Sequence, residues 1–237
     1  MATFVLVPGA DGSAWYWHLV VPELRARGHD AVSLDLPAHD SADLDTLADA
    51  IAGAASEAVA EAGRERRESG PLILVAQSLA GFSAPLVCAR THVDRMVLVN
   101  AMVPRPGETA GEWWEATGQP AARLARAEAE GRRGPDAEFD LRTDFFHDVP
   151  PAVTEEAFAA APGGPPSAVF AQPWPLEKWP DVPTRFVQGT EDRFFPLEFQ
   201  RRVVRERLGL DVEELPGGHL LALSRPRELA AALMRGV

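Results

Sequence analysis

Three side chains in this sequence have the types and settings that nucleophilic catalysis needs. Ser78 lies in "LILVAQSLAG" (72–81), Asp192 in "QGTEDRFFP" (188–196) and His219 in "PGGHLLALSRP" (216–226). A serine hydroxyl is a weak nucleophile until an imidazole takes its proton. The imidazole in turn needs a carboxylate to fix its tautomer and stabilise its charged form. Each residue alone has a plainer reading. A serine in a βα turn is usually structural, acids are ordinary in loops after strands, and His219 would serve as a cap for the last helical region. Glu191 competes with Asp192 for the acid role. Together, one of each type on three separate strand-end loops, they point to a Ser-His-Asp relay.

The elements that must position them alternate. "TFVLV" (Thr3–Val7) reads as a buried strand, "DAVSLDLP" (30–37) as a second, and "LILVAQ" (Leu72–Gln77) as a third. "RMVLVN" (95–100), "TRFVQG" (Thr184–Gly189) and "DVEEL" (211–215) supply three more. Helical spacing of apolar residues spans 15–24, stopping at Gly28, and 43–66, with further helices after Ser78, near 196–208 and over 226–234. Such alternation predicts an α/β fold, a mostly parallel sheet with helices on both faces, whose ligand sites lie beyond the carboxyl ends of the strands. From 104 to 180 the alternation stops and Pro, Gly, Glu, Ala and Trp dominate. That segment is expected to be an inserted helical cap on a core made of 1–103 and 181–237. Within it "AARLARAEAEGRRG" (121–134) reads as an exposed helix and "AAAPGGPPSA" (159–168) as a flexible connector.

Composition narrows the partners. At 237 residues, with 46% hydrophobic residues, the chain can bury a substantial core. A formal charge of −12 repels nucleic acid and anionic membranes, which leaves a small molecule as the expected partner. Cys88 is the single cysteine, so no intramolecular disulfide forms, and no Cys/His cluster suggests a metal. The first residues lack a basic and then apolar leader, and no apolar run approaches membrane-span length, so the cytoplasm is the expected compartment. "GADGSA" (9–14) imitates a phosphate-binding loop but lacks the full glycine spacing and a Walker lysine, and no cofactor is expected. Asp35 and His39 read as loop anchors, and His147 and Asp148 as a hydrogen-bonded structural pair. Asn100 ends the run "RMVLVN", and as an amide it cannot fill the acid role in place of Asp192. Trp15 and Trp17 are expected to fix the first helix on the sheet. Trp113, Trp114, Phe145, Phe146 and Trp174 either line an apolar substrate pocket, with Leu220, or form the cap's own core.

The chain resembles the α/β-hydrolase superfamily, in the small branch of plant methylesterases, hydroxynitrile lyases and bacterial esterases. The resemblance rests on "FVLVPGADGSAWYW", "RGHDAVSLDLPAHD", "LVAQSLAGFSA", "LVNAMVPRPGE", "FFHDVPP", "VQGTEDRFFP" and "LPGGHLLALSRP". It implies Ser78 as nucleophile, His219 as general base and acid, Asp192 as orienting carboxylate, and the N–H groups of Ala10 and Leu79 as the oxyanion hole. Two departures stand out. The G-x-S-x-G elbow has become Ala76-Gln77-Ser78-Leu79-Ala80, with Gly81 just beyond, and Pro8 replaces the usual loop histidine. Lyases of this branch carry a lysine after the histidine and a threonine in the oxyanion loop. Leu220 and Gly9 stand there instead, which argues against cyanohydrin cleavage. The expectation is a serine hydrolase for a small, largely uncharged ester or thioester. Its rivals are a non-hydrolytic ligand-binding member and a cofactor-free lyase or cyclase using His219 as base. Loss of ester turnover in Ser78→Ala would separate the first from both.

Overall fold

The computed structural model describes residues 1–65, 70–160 and 164–237. The apolar runs form β1 (Thr3–Val7), β2 (Asp30–Ser33), β3 (Leu72–Gln77), β4 (Arg95–Val99), β5 (Thr184–Gly189) and β6 (Glu213–Leu215). They make one sheet in the order β2-β1-β3-β4-β5-β6, and every pairing is parallel. In its centre Leu74 of β3 stands opposite Val5 of β1 on one side and Met96 of β4 on the other. Strands buried on both faces need apolar residues at consecutive positions, which is why these stretches are uninterrupted.

The helices follow as α1 (Val20–Arg25), α2 (Leu44–Glu65), α3 (Ala110–Thr117), α4 (Gln119–Ala129) and α5 (Leu141–Asp144), then α6 (Pro151–Ala159), α7 (Ser167–Ala171), α8 (Leu197–Leu208), α9 (Leu221–Ser224) and α10 (Pro226–Leu233). Because successive strand side chains point to opposite faces, the sheet divides the core in two. Val5, Leu74, Leu98 and Phe186 meet α2 and α8 through Ile51, Val203 and Val204. Phe4, Ile73, Val97 and Val187 meet α1, α9 and α10 through Leu24, Leu221 and Leu229. Between β4 and β5 the described residues form α3 to α7 and a 3₁₀ turn at Gly134–Ala137. Trp113 and Trp174 root this segment, donating their indole N–H groups to the carbonyls of Val103 (2.9 Å) and Phe82 (3.0 Å). A buried Arg207–Glu108 pair ties it to α8.

Several local expectations shift. The helix expected over 15–24 is a 3₁₀ turn at Ala14–Trp17, capped by Ser13, and then α1. The segment after Ser78 forms 3₁₀ turns at Ser78–Gly81 and Ala84–Ala89 in place of an α-helix. Pro85, which lacks an N–H, interrupts the ladder there. β4 stops at Val99 because Asn100 turns into the left-handed region at φ 45°. The outer strands β2 and β6 are shorter than the apolar runs that suggested them. Arg66, the expected end of α2, and residues 161–163 of the expected connector lie outside the described residues.

Candidate active site

A parallel sheet brings the loops after its strands to one rim. Here the chain leaves β1 toward β2 and later returns to β3 on the other side of β1, and at such a reversal the two loops part and leave a crevice. Ser78 follows β3 directly and is held at φ 50°, a conformation that costs a non-glycine residue on the order of 1–3 kcal/mol. Its carbonyl accepts the Met102 N–H at 2.9 Å, which fixes the turn. The room for this turn comes from two glycines. A Cβ on Gly81 would lie 1.8 Å from the Met102 carbonyl oxygen, and one on Gly9 would lie 2.2 Å from Gln77 Oε1 and 3.0 Å from Ser78 Cβ. Ala76 and Ala80, at the motif's glycine positions, are both buried, and a close backbone approach lies one residue later, at Gly81.

Ser78, His219 and Asp192 come together. His219 Nε2 lies 3.1 Å from Ser78 Oγ, and His219 Nδ1 lies 2.8 Å from Asp192 Oδ2. His219 and Asp192 are each 1% exposed and Ser78 is 7% exposed, so the relay runs through a nearly dry interior with one end open. The other oxygen of Asp192 accepts the N–H groups of Phe194 and Phe195, both at 2.8 Å. Gln188 Nε2 adds a longer donor to Oδ2 at 3.3 Å. These bonds fix its orientation toward the imidazole. Glu191 is exposed, and the structure places only Asp192 against His219.

The loop carrying His219 is tied from three directions. Asn100, at the end of β4, donates through Nδ2 to the carbonyls of Gly218 (3.0 Å) and His219 (2.9 Å) and accepts the Gly189 N–H at 2.7 Å. Glu191 N–H donates to the Gly217 carbonyl at 2.9 Å. Asp148 Oδ2 accepts the Gly218 N–H at 2.8 Å. Asp148 thus bonds the histidine loop rather than its expected partner His147. Both press on Gly218, where a Cβ would lie 2.7 Å from Asp148 Oδ1 and from His147 Nε2. Burial lowers the pKa of His147. Asp35 accepts the Ala14 N–H at 2.7 Å and His39 meets Ser41 at 3.1 Å, which are the anchoring contacts expected of them.

A cleft of about 790 Å³ opens on Ser78 and His219. Ala10, Leu79, Leu220, Trp114, Phe145 and Phe146 line it. Phe145 lies over His219, with ring centroids 4.6 Å apart, and Phe194 and Phe195 meet the same ring edge-on at 5.3 and 5.1 Å. Trp113 and Trp174 correct the expected pocket: both are buried in the core and line no part of the cleft. The reason is the pair of indole hydrogen bonds that turn them inward. Trp15 corrects it the other way. Its ring lines the cleft, and its N–H reaches Glu156 Oε1 at 3.0 Å, whereas Trp17 stays in the core. Tyr16, Gln77, Met102, Phe158 and Phe194 also line the cleft, and none was singled out in the sequence. Gln77 precedes Ser78 directly, the one signal that could have found it; the others are brought in by tertiary contacts. Among the described residues no group of three or more His, Cys, Asp or Glu could hold a metal ion, and no helix is long and apolar enough to cross a membrane.

Known proteins resemble the chain along nearly its whole length. A family model described as the alpha/beta hydrolase family matches residues 4–232. The chain is 29% identical to a pyrethroid hydrolase from Sphingobium wenxiniae, over 97% of this chain and 85% of that protein. It is 26% identical to the polyneuridine aldehyde esterase of Rauvolfia serpentina, over 98% and 94% of the two. Among solved structures, an extracellular alpha/beta-hydrolase from a Paenibacillus species superposes with a TM-score of 0.75 at 17% identity, covering 99% of this chain and 98% of that one.

Proposed function

Because the chain belongs to the alpha/beta hydrolase family, we propose that it is a serine carboxylesterase working through an acyl-enzyme. The observation that carries this is the buried relay Ser78–His219–Asp192, at 3.1 and 2.8 Å, opening on an aromatic cleft. The relatives named as an esterase and a pyrethroid hydrolase support ester hydrolysis as the reaction. Ser78 Oγ attacks the ester carbonyl as its proton passes to His219 Nε2. The charge that develops on the imidazole is stabilised by Asp192 Oδ2. The N–H groups of Ala10 and Leu79, whose residues line the cleft beside Ser78, would receive the oxyanion, each contributing about 3 kcal/mol to the transition state. Collapse expels the alcohol, which takes the proton from Nε2. Water, deprotonated by the same nitrogen, then releases the acid.

Residues 104–180 act in this reading as the cap that supplies Trp114, Phe145, Phe146 and Phe158 to the cleft. A volume of about 790 Å³ falls within the range of pockets that enclose drug-sized ligands, so the cleft has room for substrates larger than the small esters that the sequence suggested. The test is intact mass after treatment with a fluorophosphonate, alongside Ser78→Ala. The expected result is one adduct on the parent and none on the variant. A folded parent that takes no adduct would overturn the serine mechanism.

A further inference from the structure

Asp11 follows Ala10 in the loop after β1 and lines the cleft. Among the described lining residues it is the one carboxylate, and no Lys or Arg stands among them. The local tasks of its turn are taken by other residues. Ser13 Oγ accepts the Trp15 N–H at 3.2 Å, and Asp35 Oδ1 accepts the Ala14 N–H at 2.7 Å. Asp11 itself has only its own turn's backbone N–H groups, with Ser13 N–H distant at 3.4 Å. Burial raises its pKa, and Asp35 adds to the rise against those backbone donors. A partly desolvated carboxylate with no cation beside it gains most from a ligand that brings one.

Resting on the esterase reading, we propose that Asp11 selects esters whose acyl or alcohol arm carries a protonated amine. Three further observations favour a cation. Trp15, Tyr16, Phe146 and Phe158 contribute aromatic rings to the cleft wall, and Phe158 already takes the Arg142 guanidinium at 4.0 Å from its centroid, as aromatic rings take cations. The net charge of −12 raises the local concentration of cations and lowers that of anions. Asp11 also adjoins Ala10, so its charge opposes the oxyanion that forms there. An ammonium group between the two would offset that opposition in the transition state.

The experiment uses two matched ester pairs, each an amine and its isosteric hydrocarbon. One pair is 3-(dimethylamino)propyl and 4-methylpentyl phenylacetate. The other is methyl 5-(dimethylamino)pentanoate and methyl 6-methylheptanoate. The readout is the amine-to-hydrocarbon ratio of kcat/KM at neutral pH. In the parent the ratio should reach about tenfold for at least one pair, the scale of one cationic contact. Asp11→Asn should bring that ratio to about 1, Asp11→Glu should keep most of it, and added salt should reduce it in the parent. Equal ratios in parent and Asp11→Asn would overturn the proposal, as would an equal loss on both members of a pair. Turnover of the hydrocarbon esters without an amine preference sinks this proposal alone. No turnover of any ester together with no fluorophosphonate adduct sinks the esterase reading and this one with it.

Discussion

Two carboxylates serve the same cleft under opposite conditions. Asp192, after β5, has one oxygen on two backbone N–H groups at 2.8 Å and the other on His219. Asp11, after β1, has no partner closer than 3.4 Å among its hydrogen bonds. Their surroundings differ in the same sense. The loops of Ser78, Asp192 and His219 are tied by Asn100, Asp148, Gln188 and the Met102 N–H, a polar lattice of directional bonds that converge on the three loops. The facing wall is made of rings: Trp15, Phe146, Phe158 and Trp114. Directional bonds define a position to a few tenths of an ångström, while ring contacts tolerate exchange of shape. On the proposed reading, chemistry is built where geometry is fixed and selection where it can vary.

The largest test of that contrast is Asp192→Asn. The amide keeps the shape but favours the wrong imidazole tautomer, so kcat should fall about 10⁴-fold with the fold retained by circular dichroism. A loss under tenfold would mean that Glu191 takes over and that the lattice is less specific than it looks. Next comes Asp148→Ala, which leaves the Gly218 N–H without its acceptor. A penalty of about 1–3 kcal/mol on the histidine loop predicts a kcat lower by roughly 5- to 150-fold, with KM within a factor of about three. Asp148→Asn, which still offers an acceptor, should recover part of the loss. A rise in KM alone would place Asp148 with the wall rather than the lattice. The smallest effect belongs to the wall itself. Phe146→Leu should change KM by about two- to fivefold and leave kcat within about twofold, because an apolar exchange of similar bulk disturbs packing by less than about 1.5 kcal/mol. A hundredfold fall in kcat there would erase the distinction.

Much of the frame was legible because its signals are local. β3 and β5 occupy the residues that their apolar runs indicated, and α8 begins one residue later than expected. The three side chains that the structure brings together were legible for a related reason, since each directly follows or closely trails a strand. What could not be read depends on pairings distant in sequence. Nothing near Trp113 or Trp174 announces a carbonyl waiting at Val103 or Phe82, so a ring that looked available to a ligand is turned into the core. Asn100 was read for the charge it lacks. Its work is to donate twice to a loop more than a hundred residues away, which needs an amide rather than an acid. The run of Leu and Ala after Ser78 favours an α-helix by propensity, yet the tertiary contact at Gly81 and the ring of Pro85 leave 3₁₀ turns.

The contact between Gly81 and Met102 also says how this loop can drift over mutational time. Positions 76 and 80 have already accepted alanine. Position 81 cannot, because a methyl group there would occupy the place of the Met102 carbonyl oxygen. What the turn at Ser78 requires is thus a space for backbone to pass backbone, and the glycine that guards it sits one place away from where the G-x-S-x-G signature looks for it. Random substitution libraries across 76–81 should find that the tolerated spellings share that space and little else.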